Sequence, residues 1–102
     1  MSQKYKVTVD SELEEIMPRY IEIRLNELEE LEKYLAEKNA EAVRMLGHRL
    51  KGTGASYGIE ELTDIGAAIE DIAKTGSFAG IAEHTKRLRY ILENIEIEYE
   101  DM

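Results

Sequence analysis

The sequence predicts an all-α protein, an antiparallel up-down-up-down four-helix bundle with a short extra N-terminal helix. Four long segments place apolar residues every three or four positions, which is the period of an amphipathic helix. Only a few residues separate these segments, and helices joined by short loops pack as antiparallel neighbours. The length of 102 residues allows one domain with one modest core.

The domain is predicted to span residues 11–102, with residues 1–10 as an extended lead-in. Tyr5–Val9 alternates between apolar and polar residues as a strand does, but the sequence shows no second strand to pair with it. Because a lone strand is not stable, we expect this segment to lie over the bundle.

Ser11 and Glu14 are spaced as in a capping box, which predicts a short helix over Ser11–Met17. Pro18 marks a break or the first turn of the next helix. That helix is predicted over Arg19–Glu37. Its apolar positions are Ile21, Leu25, Leu28, Leu31 and Leu35.

The next helix, over about residues 40–57, contains His48. Asn39 is predicted as its N-cap and Gly58 as the residue after its last turn, where a left-handed conformation costs glycine nothing. Its core-facing positions are Val43, Leu46, Leu50, Thr53, Gly54 and Tyr57.

Two further helices complete the predicted bundle. Glu60 and Glu61 complement the helix dipole at the start of the first, which is predicted to end near Lys74. Its apolar positions are Leu62, Ile65, Ile69 and Ile72. Thr75–Ser77 then supplies a terminating glycine and an N-cap serine, and the last helix is predicted to continue through Tyr99. Its core-facing positions are Ile81, Thr85, Leu88, Leu92, Ile95 and Tyr99.

The composition disfavours several classes of protein. The net charge of −9 argues against a nucleic-acid partner, since binding phosphate backbones needs a basic stripe. No apolar run approaches the length of about eighteen residues that a membrane span needs, and Met1–Asp10 lacks the apolar region of a signal peptide. We therefore expect a cytoplasmic protein with no membrane partner. Zero cysteines exclude disulfides and thiolate metal sites. Because four helices can close their own core, we expect a monomer.

His48 lies off the core-facing stripe of its helix. At about 100° per residue it lies roughly 200° round the axis from Leu46 and Leu50, and therefore points to solvent. Its neighbours one turn away are Arg44, Met45, Lys51 and Gly52. Residues 40–57 carry a local charge of +2 against −11 for the rest of the chain, so an acidic pocket on a partner would be attracted to this helix.

The string His48–Gly52, with Gly58 ten residues after the histidine and Leu62 and Glu70 downstream, resembles the signature of histidine-containing phosphotransfer (HPt) domains. These include the phosphorylated domain of chemotaxis histidine kinases. The resemblance covers nearly the whole chain. It implies a histidine phosphocarrier of a two-component phosphorelay, which has no ATP-binding or catalytic domain of its own and is therefore not an enzyme.

The resemblance also implies roles for individual residues. His48 would accept a phosphoryl group from a receiver-domain aspartate, or from a histidine kinase or hybrid kinase, and pass it to a response-regulator receiver. Lys51 would stabilise the charge of the phosphoryl oxygens, and Glu70 would hydrogen-bond the second imidazole nitrogen and orient the ring. No cofactor is expected in this chain, and Mg²⁺ would come from the partner receiver domain. The residues expected to dock the partner are Arg44, Met45, Arg49, Gly52 and Ala55.

Two alternatives stay open. One is a helical interaction module that docks an acidic partner without phosphotransfer, and the other is an excised domain of a larger kinase. A carboxylate-metal bundle is disfavoured, since neither His48 nor His84 has the glutamate three residues before it that such bundles use. His84 also lacks an open approach, because bulky Leu88 lies one turn on. Tyr57 and Phe78 are expected to pack rather than dock.

Overall fold

The computed structural model describes residues 4–101, and this range contains four α-helices and two β-strands. The helices are α1 (Met17–Ala36), α2 (Ala40–Thr53), α3 (Glu60–Lys74) and α4 (Ile81–Asn94), and the strands are β1 (Tyr5–Asp10) and β2 (Ile95–Glu100). The predicted helical bundle is confirmed for the body of the chain, while the up-down-up-down order stays a prediction. None of the helices in the described range is long and apolar enough to cross a membrane.

One core joins the four helices to β1. The largest fully buried side chains are Val9, Met17, Leu28, Val43, Ile59, Leu62, Ile69, Ile81 and Ile91. Most predicted apolar positions of α2, α3 and α4 are buried, whereas Ile21, Leu25 and Leu35 of α1 are only partly buried against the core. The amphipathic period therefore identified the correct helix faces.

The two ends of the described chain pair with each other, which the sequence analysis did not predict. β1 and β2 form a parallel ladder in which Tyr5 lies opposite Ile95 and Val9 opposite Tyr99. The expectation that β1 has no partner strand is wrong, and so is the expectation that the last helix continues through Tyr99. Residues 95–100 alternate apolar residues with glutamate, which suits a strand with one packed face. Ile95 and Tyr99 also fit a spacing of four, so their pattern matches both structures.

The start of the domain also differs from the prediction. In place of a helix over Ser11–Met17 there is a single 3₁₀ turn, Ser11–Leu13. The capping box is absent, because the Ser11 hydroxyl donates to Asp101 (2.5 Å) and Asp10 instead accepts the backbone N–H of Glu12 (2.9 Å). Pairing of β1 with β2 brings Asp101 close to Ser11, and no local pattern indicates that contact.

The ends of α2 follow the prediction more closely. The Asn39 side chain accepts the backbone N–H of Ala42 (3.1 Å), which confirms the N-cap. Gly58 has a φ of 84°, as expected for a left-handed terminating residue. The α-helix itself ends at Thr53, and a 3₁₀ turn, Ala55–Tyr57, fills the remaining predicted length.

Helices α2 and α3 approach each other closely at three glycines. A Cβ on Gly47 would lie 2.8 Å from the backbone nitrogen of Glu70, and one on Gly54 would lie 2.5 Å from that of Thr63. A Cβ on Gly66 would overlap the backbone of α2. Gly54 was predicted to face the core, whereas the sequence analysis did not single out Gly47 or Gly66. The three glycines set the spacing between the helix that bears His48 and the helix beside it.

We expect Gly66→Ala to lower the free energy of unfolding by about 2 kcal/mol or more, because the added methyl group meets backbone that cannot rotate away. The matched control is Gly52→Ala, where a Cβ meets nothing within 4 Å. There the removal of a helical glycine should raise stability by about 0.5–1 kcal/mol. Urea denaturation of both variants measures the difference, and equal stabilities would contradict the close packing.

Candidate functional site

His48 lies on the solvent side of α2. Its side chain is 68% exposed, while Leu46 and Leu50, on the other side of the helix, are buried. The exposure predicted from the helical offset is therefore observed. An incoming molecule can reach the imidazole, and exposed Gly52, one turn on, has no side chain to block its approach.

Glu70 of α3 lies directly beside the imidazole and is almost fully buried, with 3% of its side chain exposed. Its Oε2 is 2.8 Å from Nδ1 of His48, and its Oε1 is 3.4 Å from Nζ of Lys51. The close contact at Gly47 places the backbone of Glu70 against α2. The carboxylate therefore reaches the imidazole from the side of the α2–α3 contact. The structure thus brings together the three residues His48, Lys51 and Glu70, and their chemical roles stay predictions.

Glu70 is ionised at neutral pH. Burial raises the pKa of its carboxyl group, but hydrogen bonds from His48 and Lys51 and the charge of Lys74 outweigh burial, so that the pKa lies below its ordinary value. An ionised carboxylate can only accept hydrogen bonds. Nδ1 of His48 must therefore carry the proton, and in the neutral ring Nε2 holds the lone pair that faces away from Glu70.

The other two cations of α2 also have acidic partners. Arg44 lies 2.6 Å from Glu41 and 3.9 Å from Glu70, and Arg49 lies 3.6 Å from Glu27. The hydrogen bond from Arg44, and then the charge of Arg44, lower the pKa of Glu41. The local charge of +2 therefore overstates the attraction of this face for an acidic partner.

The residues predicted to dock a partner share the face of His48. Met45, Arg49, Gly52 and Ala55 are exposed, and Arg44 is partly exposed. Met45, at 44% exposure, is an exposed large hydrophobic side chain beside the imidazole. The structure places these side chains together, and a docking role for them stays a prediction.

Thr63 of α3 supports the site and was missed by the sequence analysis. Its hydroxyl donates to the backbone oxygen of Lys51 (3.0 Å) and accepts the backbone N–H of Ala55 (2.8 Å). These two bonds hold the end of α2, and thus the backbone of Lys51, against α3. A threonine within a helix gives no sequence signal for such a contact, because its partners are 8 and 12 residues away.

A cluster between α1 and α2 was also missed. Arg24, with 10% of its side chain exposed, donates to the Thr53 hydroxyl (2.9 Å) and lies 4.9 Å above the ring of Tyr20. Tyr20 stacks on Tyr57 with ring centroids 4.0 Å apart. The expectation that Tyr57 packs rather than docks is consistent with this stack, and Phe78 is likewise partly buried against the core.

Residues 4–101 contain no group of three or more His, Cys, Asp or Glu side chains placed to hold a metal ion. Glu70 lies within 4 Å of the cations Arg44 and Lys51 and accepts a hydrogen bond from His48, and a carboxylate in such a position is already satisfied. The arrangement is suited to orienting an exposed imidazole and to presenting cations beside it.

Comparison with known proteins gives two matches. Residues 11–98 match the family model described as Hpt domain. Over 62 residues the chain is 34% identical to the phosphorelay intermediate protein YPD1 of Candida albicans, an alignment that covers 57% of this chain and 34% of the relative. The chain therefore spans about a third of the length of this curated relative. No solved structure matches the chain.

Long-range ¹H–¹⁵N NMR at neutral pH should show the His48 ring protonated at Nδ1, because the ionised Glu70 accepts a hydrogen bond from that N–H. Glu70→Ala should abolish the preference for this tautomer. His84 on α4 serves as the internal control, and its nitrogen shifts should stay the same. Unchanged His48 nitrogen shifts in Glu70→Ala would show that the contact does not set the tautomer.

Proposed function

This chain belongs to the Hpt domain family, whose model matches residues 11–98, and we propose that it is a histidine phosphocarrier of a two-component phosphorelay. The observation that supports this proposal most strongly is the exposed imidazole of His48, held at Nδ1 by the buried carboxylate of Glu70 at 2.8 Å. That contact leaves Nε2 facing solvent with a lone pair. A phosphocarrier needs such a nitrogen, accessible to a partner and fixed in orientation.

In the proposed reaction, Nε2 of His48 attacks the phosphorus of an aspartyl phosphate on a receiver domain. The new N–P bond forms as the P–O bond to the aspartyl group breaks, and the aspartate leaves as a free carboxylate. The ring proton stays on Nδ1, where the charge of Glu70 stabilises the positive charge that the ring acquires. Donation to a second receiver is the same step in reverse. A histidine kinase or hybrid kinase is the alternative donor.

Lys51 is proposed to stabilise the phosphoryl group in transit. Its Nζ lies 3.4 Å from Glu70 and its side chain is 47% exposed, so the ammonium group can turn toward phosphoryl oxygens on the neighbouring imidazole. We assign the Mg²⁺ of the reaction to the acidic pocket of the receiver. This chain then supplies the nucleophile, a cation and the docking face, and it acts as a carrier and not as an enzyme.

The proposed partners dock on the exposed face around His48. Met45 supplies an apolar contact, and Gly52 and Ala55 allow close approach because their side chains are absent or small. Arg44 and Arg49 add charges that are partly neutralised by their own ion pairs. We further propose that the protein works as a cytoplasmic monomer.

His48→Gln should abolish phosphoryl acceptance and leave the far-ultraviolet circular dichroism unchanged, because the side chain is exposed. The experiment incubates each protein with a receiver domain charged by acetyl phosphate and follows its mass. The parent should gain one acid-labile phosphoryl group, and the matched control His84→Gln should do the same. A non-catalytic interaction module would bind the receiver without this gain. Label on His48→Gln would show that the site lies elsewhere.

Lys51→Ala should slow phosphoryl transfer by roughly tenfold, less than the loss of a buried donor, because the ammonium group is half exposed. Binding to an unphosphorylated receiver should change much less. Lys86→Ala, at a 78% exposed lysine of α4, is the matched control and should transfer at the parental rate. Rapid-quench kinetics measure the transfer rates of Lys51→Ala and Lys86→Ala. Equal rates for the two variants would contradict the role assigned to Lys51.

A further inference from the structure

Within residues 4–101, no strand lies beside the outer edge of β1. In this range β1 pairs only with β2 in a two-stranded sheet, so each strand keeps one unpaired edge. Backbone groups of a strand point alternately to its two sides, and about half of those in β1 therefore face away from β2. Among the described residues, no backbone hydrogen bond joins β1 to any element other than β2.

An open groove runs along this edge. One wall is β1, through Tyr5 and Val7–Asp10, and the other is the segment between α2 and α3, through Ala55–Ser56 and Gly58–Glu61, with Leu13 beside them. No residue of β2 lines it, so the groove lies on the unpaired side of β1. Its apolar lining includes side chains that belong to the core, and its β1 wall extends over residues 5–10, so an extended segment of similar length can lie along it.

The groove is acidic. Its charged lining residues are Asp10, Glu60 and Glu61, and no lysine or arginine lines it. Glu61 is paired with Arg87 at 2.5 Å, which leaves Asp10 and Glu60 to attract a cationic ligand. An extended ligand would match the apolar lining if it placed apolar side chains toward the floor of the groove. It would match the acidic lining if it placed basic side chains toward these carboxylates.

We propose that this groove binds an extended, basic segment of a partner protein, which adds to β1 as a third strand. Backbone pairing with the free edge would supply much of the affinity, as in other cases of strand addition. Lysine or arginine at alternate positions of the segment would make the acidic groove prefer it over neutral or acidic segments. A second copy of this chain is a poorer occupant, since each copy carries a charge of −9 and β2 presents glutamate at every exposed position. The proposal does not depend on phosphotransfer at His48.

The experiment uses the full chain labelled with ¹⁵N and a synthetic capped peptide of alternating valine and lysine, six residues long. Binding should shift the backbone amides of residues 5–10 and 55–61. Two further peptides are N-methylated at every second backbone amide. The first carries the methyl groups on the amides that point to one side of the extended peptide, and the second carries them on the amides that point to the other side. Only the set that faces β1 should abolish binding, because N-methylation removes the donors that pair with the strand. A peptide with glutamate in place of lysine should not bind.

Charge reversal tests the acidic lining. Glu60→Lys should weaken binding of the lysine peptide about fivefold, the size expected for one exposed charge pair. The matched control Glu22→Lys, on the exposed face of α1, should bind with the parental affinity, and circular dichroism checks that both variants fold. Four results would overturn the proposal. The first two are that the lysine peptide shows no binding, or that both N-methylated peptides lose binding equally. The other two are that Glu60→Lys and Glu22→Lys weaken binding equally, or that the chain self-associates with rising concentration and shifts the amides of β1.

Discussion

The close approach of α2 and α3 is the constraint on which the rest of the site depends. Gly47 and Gly66 face each other's helices at distances that leave no room for a side chain. This spacing puts the backbone of Glu70 against α2 and the carboxylate of Glu70 beneath His48. A wider separation would leave a buried carboxylate without its partners, which is costly. The helical glycines therefore lower local helix propensity, but they allow the close contact that determines where the carboxylate lies.

The buried carboxylate of Glu70 determines which nitrogen of the exposed His48 ring carries the proton. Burial opposes ionisation of Glu70, and the hydrogen bonds from His48 and Lys51 more than offset it. An acceptor-only partner on one side of the imidazole leaves the free lone pair on the other nitrogen. The same carboxylate holds Lys51 and lies within 4 Å of Arg44, so both cations near the ring have an acidic partner. Under the proposed function, transfer would exchange these ion pairs for contacts with the phosphoryl group.

The parallel strand pair joins the two ends of the described chain and fastens them to the bundle. Val9 is buried against Gly58, the left-handed residue that ends the turn after α2. The Tyr5 hydroxyl donates to Glu61 (3.0 Å), and Arg87 pairs with the same carboxylate. The strand pair is thus anchored to the start of α3 and to α4. A two-stranded sheet is marginal alone, and this packing stabilises it.

The sequence by itself determined what depends on residues one or two turns apart: the four amphipathic helices, the Asn39 cap, the turn at Gly58 and the exposure of His48. The resemblance to HPt domains, and no local pattern, pointed to Glu70. Only the tertiary structure decided the pairing of β1 with β2. Their partner residues are about 90 positions apart, and the spacing of Ile95 and Tyr99 fits a helix as well as a strand. Local periodicity records which face of an element is apolar, and it does not record which distant segment will cover that face.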